Sequence, residues 1–308
     1  MEASITLKSL AKKKNNDIIL ADLSLGIESK SNHAIVGQNG AGKSTILKIL
    51  AGLIEKDAGT AYINGKDIST RQAETKIVIG YMPQHIDLDN EMTIFENLMI
   101  FGRLYGVSNE LLKNRILKFS DIFDYKNQLL EYPKKLTPGI LRTIQFTRSI
   151  IHNPEILLLD EPTSKMDPKN KIKVWEILDT EGKDKTVLFT SQDFDEVEKF
   201  SDRISILHHG QIRMDGSLDK LVGVTKGLSK YQIRFKDSVP DGIIDSIGQM
   251  PKILKPEING KILEFYSNER KFFFEVLKEV IMSDISDIDM DFCKLIDLYL
   301  GLIGSKVE

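Results

Sequence analysis

The 308-residue sequence predicts an α/β fold built on a parallel sheet, followed by a smaller α+β domain at the C-terminus. Three observations carry that expectation. Ala34-Ile35-Val36 and Ile156-Leu157-Leu158-Leu159 are continuous apolar runs without alternation, as in strands covered on both faces. The first run leads through a glycine-rich stretch into the helix-like Ile46-Leu47-Lys48-Ile49-Leu50, a strand–loop–helix unit. Near Asp215-Gly216-Ser217 the texture then changes to alternating strands, and the length already exceeds what one core usually supports. The expected domains are residues 1–216 and 217–308.

Taken in order, residues 5–84 read as short strands around the glycine loop and its helix. Residues 86–150 form a mainly helical subdomain, with apolar spacing at Ile94, Leu98 and Phe101 and again at Leu111, Ile116 and Phe119. Residues 153–212 return to alternating strand and helix. In the tail, Tyr231–Phe235 and Lys261–Tyr266 alternate as half-buried strands. Ile243–Met250 reads as a helix, as do Phe273, Val276, Leu277, Val280 and Ile281; Ile285–Met290 is a weaker strand and Phe292–Leu302 a final helix. That order suits a small α+β sandwich of the split βαβ kind. The triplet Phe272-Phe273-Phe274 reads as core and interdomain packing, and the tail carries no metal, nucleophile or nucleotide motif.

Composition narrows the classes. A formal net charge of −3 gives no basic excess, so no nucleic-acid partner is expected. The single Cys293, flanked by Phe292 and Leu295, rules out an internal disulfide framework, suits a reducing compartment and reads as a packing residue. No apolar run approaches the ~18 residues needed to span a bilayer. Met1-Glu2-Ala3-Ser4 lacks a cationic-then-apolar signal.

The chemistry lies in two stretches. Gly37-Gln38-Asn39-Gly40-Ala41-Gly42-Lys43-Ser44-Thr45 fits G-x-x-x-x-G-K-[ST], the loop that wraps nucleotide phosphates. Its glycines let backbone N–H groups turn inward as an anion nest, and the following helix adds positive potential. Lys43 is expected to reach the β- and γ-phosphates and Ser44 to hold Mg²⁺. Further on, Ile156–Leu159 ends in Asp160-Glu161-Pro162. At the carboxyl end of a buried strand, Asp160 can hold Mg²⁺ and Glu161 can orient or deprotonate an attacking water. A plain helix cap is the competing reading of these acids, disfavoured by their pairing with the phosphate loop.

Between and after these motifs, the order of parts resembles the ABC ATPases. Ile79-Gly80-Tyr81-Met82-Pro83-Gln84 looks like their glutamine loop; Asn153-Pro154-Glu155, Pro162-Thr163-Ser164, Asp167-Pro168 and Asp202-Arg203-Ile204 match in order and spacing. The resemblance covers about residues 5–216, and Glu96-Asn97-Leu98 with Phe101–Gly106 is similar to the subunits of drug, bacitracin-resistance or sodium-efflux exporters. It implies a RecA-like core with a helical subdomain at about 86–150, ATP and Mg²⁺ as ligands, and a head-to-tail dimer, homomeric or heteromeric. It also implies a separate membrane-spanning permease and a cytoplasmic place on the inner face of the membrane. Ser44, Gln84 and Asp160 would address the metal, Glu161, Gln84 and Gln192 the reaction, and Thr137, Gly139 and Asp167 the partner's nucleotide.

Several family landmarks are altered. The signature loop, usually Leu-Ser-Gly-Gly-Gln, reads Leu136-Thr137-Pro138-Gly139-Ile140. Thr137 keeps a hydroxyl, but Pro138 has no N–H for a phosphate and Ile140 replaces an amide. Thr137 followed by proline is still a good helix start. Gln192 stands where the family has a histidine, so it can donate but never carry charge. Lys14 occupies the position of the aromatic that stacks on adenine, in a run Lys12-Lys13-Lys14 that otherwise reads as a solvated turn. Lys165-Met166-Asp167 replaces Gly-Leu-Asp. Because the phosphate loop, Gln84, Asp160 and Glu161 are intact, slow hydrolysis is expected. Two rivals stay open: a degenerate regulatory subunit, and a soluble ABC protein of the ribosome or DNA-repair kind. The transported substrate is not legible.

Overall fold

The computed structural model describes residues 3–15, 17–224, 229–250, 253–267, 270–280, 283 and 285–292. The chain divides into two units, Met1–Asp215 and Gly216–Glu308.

The first unit opens with two strands longer than the sequence suggested, β1 (Ala3–Lys14) and β2 (Asp17–Glu28), paired antiparallel. Ile5, Leu7, Leu23, Leu25 and Ile27 are buried at a period of two, and Leu10 is buried beyond an irregularity in β1 that shifts the register after Leu7. Lys12 and Lys13 are not in a turn. Pairing continues to Lys14 opposite Asp17, and Asp57 accepts from the Lys12 ammonium at 2.8 Å and the Lys13 backbone N–H at 2.6 Å. The hydrogen bond from Lys12, joined by that of Lys13, holds the Asp57 carboxyl below its usual range.

There follow β3 (Asn32–Val36), α1 (Lys43–Leu50), β4 (Ala58–Ile63), β5 (Lys66–Asp67), α2 (Gln72–Ile77) and β6 (Ile79–Met82). The helical stretch comprises α3 (Ile94–Leu104), α4 (Asn109–Ile122) and α5 (Pro138–Ile150). Its first helix starts on a capping box: Thr93 Oγ1 accepts from the Glu96 N–H at 3.2 Å while the Glu96 carboxylate accepts from the Thr93 N–H at 2.8 Å. Then come β7 (Ile156–Asp160), α6 (Pro168–Thr180), β8 (Thr186–Thr190), α7 (Phe194–Phe200), β9 (Arg203–His208) and β10 (Gln211–Gly216).

Two sheets result, one of order β2-β1-β4-β5 and a six-stranded one of order β10-β9-β3-β8-β7-β6. In the latter β3 lies between β8 and β9, and β3, β6, β7, β8 and β9 run parallel. β7 and β8 are buried along their whole lengths, which is why their sequences do not alternate. One core joins Ile5 and Leu20 from the first sheet, Ile46 and Leu47 from α1, and Leu158 and Leu188 from the second.

The second unit contains α8 (Leu218–Val224), β11 (Ser229–Phe235), α9 (Ile243–Gly248), β12 (Ile253–Asn259), β13 (Ile262–Ser267), α10 (Arg270–Val280) and β14 (Ile285–Phe292). From β11 onward the order is βαββαβ in an antiparallel sheet β12-β13-β11-β14, the split βαβ arrangement. β12 was hidden in the sequence by Pro256. It is an edge strand whose register slips between Leu254 and Glu257, the place where a proline can be tolerated. Tyr231, Ile233, Phe235, Leu263, Phe265 and Val276 form its own core. Phe272 and Phe273 join that core, but Phe274 is 49% exposed, so the triplet is not wholly packing: a helix turns three successive side chains in different directions. Phe292, expected to open a final helix, instead ends β14; the rest of that helix and Cys293 lie outside the described residues. Among the described residues no helix is long and apolar enough to cross a membrane.

Candidate nucleotide site

Parallel strands deliver their carboxyl ends to one edge of the sheet, where α/β folds bind ligands. From that edge leave the loops after β3, β6, β7 and β8, carrying Gly37–Gly42, Gln84, Glu161 and Gln192. Their adjacency follows from topology although they are far apart in sequence.

The loop after β3 needs its glycines. At Gly37 a Cβ would stand 2.4 Å from the Leu207 carbonyl oxygen; Gly42, at φ 110°, would bring one to 2.7 Å from Leu20 and 3.0 Å from the Ile19 oxygen. Gly42 caps α1, whose first turn holds Lys43, Ser44 and Thr45. The N–H groups of that turn have no partner within the helix. Asn39, Gly40 and Ala41 complete the loop, with the Ala41 N–H donating to the Gln38 carbonyl at 3.1 Å. Lys43 is buried, and its ammonium donates to the Gly37 and Gln38 carbonyls at 2.7 and 3.0 Å. Burial draws its pKa below the usual value, opposed by the Glu161 and Asp160 carboxylates within electrostatic reach.

Asp160 ends β7 and is buried. Its Oδ1 accepts from the Thr190 hydroxyl at 2.7 Å, and its Oδ2 has no hydrogen-bond partner among the described residues. A buried carboxylate oxygen without a donor is costly, and a hard divalent cation satisfies it best. That orphaned oxygen beside Lys43 fits Mg²⁺. Glu161 adopts φ 50°, and its N–H is shared between the Thr190 carbonyl at 3.2 Å and the Thr190 hydroxyl oxygen at 3.0 Å. Gln192 Nε2 donates to Glu161 Oε1 at 2.5 Å and to Asn39 Oδ1 at 3.0 Å, so one amide joins the carboxylate to the phosphate loop. Beside them opens a cleft of about 330 Å³ lined by Glu161, Ser164, Lys165, Lys171 and Gln192.

The remaining expected residues form a second group. Thr137 is the N-cap residue of α5 with Pro138 at its first position, yet its hydroxyl makes no capping bond. Gly139 lies against the 165 turn, since a Cβ there would be 3.1 Å from the Lys165 carbonyl oxygen. Lys165 takes φ 65°, which accounts for the glycine usual at that place. Asp167 caps α6, accepting from the Asn170 N–H at 3.0 Å and its side-chain amide at 2.8 Å; the backbone bond chiefly holds its pKa low. No hydrogen bond joins this group to the phosphate loop among the described residues. Lys14 is exposed at the end of β1 and Gln84 is exposed beyond β6.

The sequence reading passed over Arg142. This α5 residue is 2% exposed and donates to four carbonyls: Pro83 at 2.5 Å, Gln84 at 3.1 Å, Asp160 at 2.5 Å and Glu161 at 2.7 Å. Burial lowers its pKa to about 10, against the pull of Asp160 and Glu161. The available signal was its phase: it lies four residues before the buried Phe146, on the apolar side of the helix. Gln145 adds a bond to the His85 carbonyl at 2.7 Å.

Residues 20–164 match the ABC transporter family. The Nod factor export ATP-binding protein I of Rhizobium sp. is 30% identical over 267 residues, 86% of each chain. The daunorubicin resistance ATP-binding protein of Streptomyces coeruleorubidus is 31% identical over 227 residues, 73% of this chain and 72% of that one. A dimeric bacterial ABC transporter cassette superposes with a TM-score of 0.64 at 26% identity, covering 70% of this chain and 98% of its own. With the phosphate loop and the buried acid at one sheet edge, the chain belongs to the ABC transporter family, as an ATP-binding subunit of the exporter type.

Proposed function

We propose that this chain binds Mg-ATP at Gly37–Thr45, hydrolyses it slowly, and powers export by a separate membrane permease from the inner face of the membrane. The observation that carries this reading is the junction of Lys43, the orphaned Asp160 oxygen, Glu161 and Gln192 at one sheet edge. Lys43 exchanges the two carbonyls it now holds for phosphate oxygens, and the N–H groups of the first α1 turn receive the rest of the charge. Ser44, Gln84 and Asp160 would hold Mg²⁺, which supplies charge neutralisation on the phosphates when bound. Glu161 takes the proton of the attacking water, and Gln192 turns its amide from Glu161 to the γ-phosphate. Thr137, Gly139 and Asp167 sit apart from this cluster, which suits service to the nucleotide of a second ATP-binding subunit, identical or not; the relative solved as a dimer supports that arrangement. Lys43→Ala should remove most Mg-ATP affinity in titration calorimetry, and unchanged affinity would sink the assignment.

A second reading is favoured by Pro138, which offers no N–H, and by the uncharged Gln192: a regulatory subunit that binds ATP without turning it over. Glu161→Gln separates the two. A working enzyme releases phosphate faster than this variant, which should trap ATP and lengthen the life of the dimer. Equal release, measured with the permease partner present, assigns the chain to regulation.

A further inference from the structure

We propose that Arg142 is a positioning residue for hydrolysis, tying the helix that begins at Thr137-Pro138-Gly139 to both the Gln84 loop and the Asp160-Glu161 strand end. This rests on the reading of Glu161 as the group that acts on water. The guanidinium is buried and has carbonyl oxygens for partners: Pro83 and Gln84 on one nitrogen, Asp160 and Glu161 on the other. A buried cation carries a heavy desolvation cost, offset here by its bonds to these four carbonyl oxygens. What the planar fork provides is geometry. It spans two loops at once, which a lysine ammonium, a point donor, cannot do.

Glu161 shows why this matters. A non-glycine residue at φ 50° is strained, and it persists only where the surroundings over-determine it. Thr190 holds its N–H and Arg142 its carbonyl, so the aim of the Glu161 carboxylate is set from both sides of the strained residue. Arg142 lies about one turn into α5, within ~6 Å of the helix start along its axis. A shift of that start therefore displaces Gln84 and Glu161 together. The arrangement connects the wall offered to a partner's nucleotide with the chain's own hydrolytic group.

The test uses the full chain with Arg142→Lys. Mg-ATP affinity should stay within about threefold, because the phosphate loop is untouched, while kcat falls tenfold or more. Turnover within about twofold of the parent overturns the proposal. Hydrogen exchange gives a readout that needs no activity: the amides of 84–86 and of 160–161 should lose protection together while 37–45 keep theirs. Loss in one segment alone, or in neither, also overturns it. If Arg142→Lys does not fold, Gln145→Leu removes a bond to the same Gln84 loop without leaving a buried charge. It should lower kcat at least threefold at constant affinity, and unchanged kcat overturns the proposal. A parent without phosphate release above Glu161→Gln refutes instead the hydrolytic reading, and the exchange pattern still decides the coupling.

Discussion

Burial keeps His33 and His152 neutral, each with its pKa drawn from 6.5 to about 4. At His33 the tautomer follows from its neighbours. The Ser205 hydroxyl spends its proton on Asp215 at 2.9 Å, so its oxygen must accept from His33 Nε2–H at 2.7 Å. Between pH 6.5 and about 4 the unfolded chain binds protons that the folded chain refuses, so stability is complete above the unfolded value and falls as pH drops towards the folded one. Each such shift is worth on the order of 3 kcal/mol. The thermal midpoint should therefore decline through that window before most carboxylates titrate, and His33→Gln should flatten the decline. An unaltered slope in that variant would show that the histidine does not carry it. Such contacts were not legible, because burial of a polar residue is decided by the neighbouring strands. The phosphate loop was legible because its constraint is local, two glycines forced by close approach and by positive φ. Arg142 left no legible pairing, since its partners are main-chain carbonyls and every residue has one.

At the scale of elements, the start of α5 and the loop before α7 decide how fast the site can turn over. α5 kept the cap position that Thr-Pro promised but not the capping bond, which leaves the Thr137 hydroxyl for a ligand. Rebuilding this start as Leu-Ser-Gly-Gly-Gln restores the N–H that Pro138 lacks and the amide that Ile140 replaces. Gln192→His, at the other element, supplies a donor that can carry charge. One such contact in a water-poor site is worth roughly 10²–10³ in rate at the strong end. We expect Gln192→His alone to raise phosphate release severalfold, and the rebuilt loop in the same chain to raise it further. If neither change, singly or together, accelerates release, these departures do not limit the subunit and the regulatory reading gains. The continuous strands and the helix at Ile94 were readable from their apolar patterns, continuous in the first and helical in the second. β12 was not, because a proline argues against a strand wherever the strand's edge position is unknown.

At the scale of the molecule, each unit has a hydrophobic cluster of its own among the described residues, and so its own set of stabilising contacts. Phe265 is fully buried in the second, and Phe→Ala in such a place costs roughly 3–5 kcal/mol. Scanning calorimetry of Phe265→Ala should show one transition moved down and the other in place, whereas Mg-ATP should raise only the transition that stays. A single transition shifted by both would show that the units unfold as one. Among the described residues, the sheet of the second unit ends at β12 on one side and β14 on the other. An open margin offers its unpaired N–H and C=O groups to any passing chain, the start of fibrillar stacking. Pro256 deletes a donor on one margin, and Asp287 and Asp289 stand exposed on the other. Copies approaching margin to margin would meet a missing donor or like charge. A chain whose proposed work requires two ATP-binding units to meet face to face is thus guarded, in a crowded cell, against meeting edge to edge.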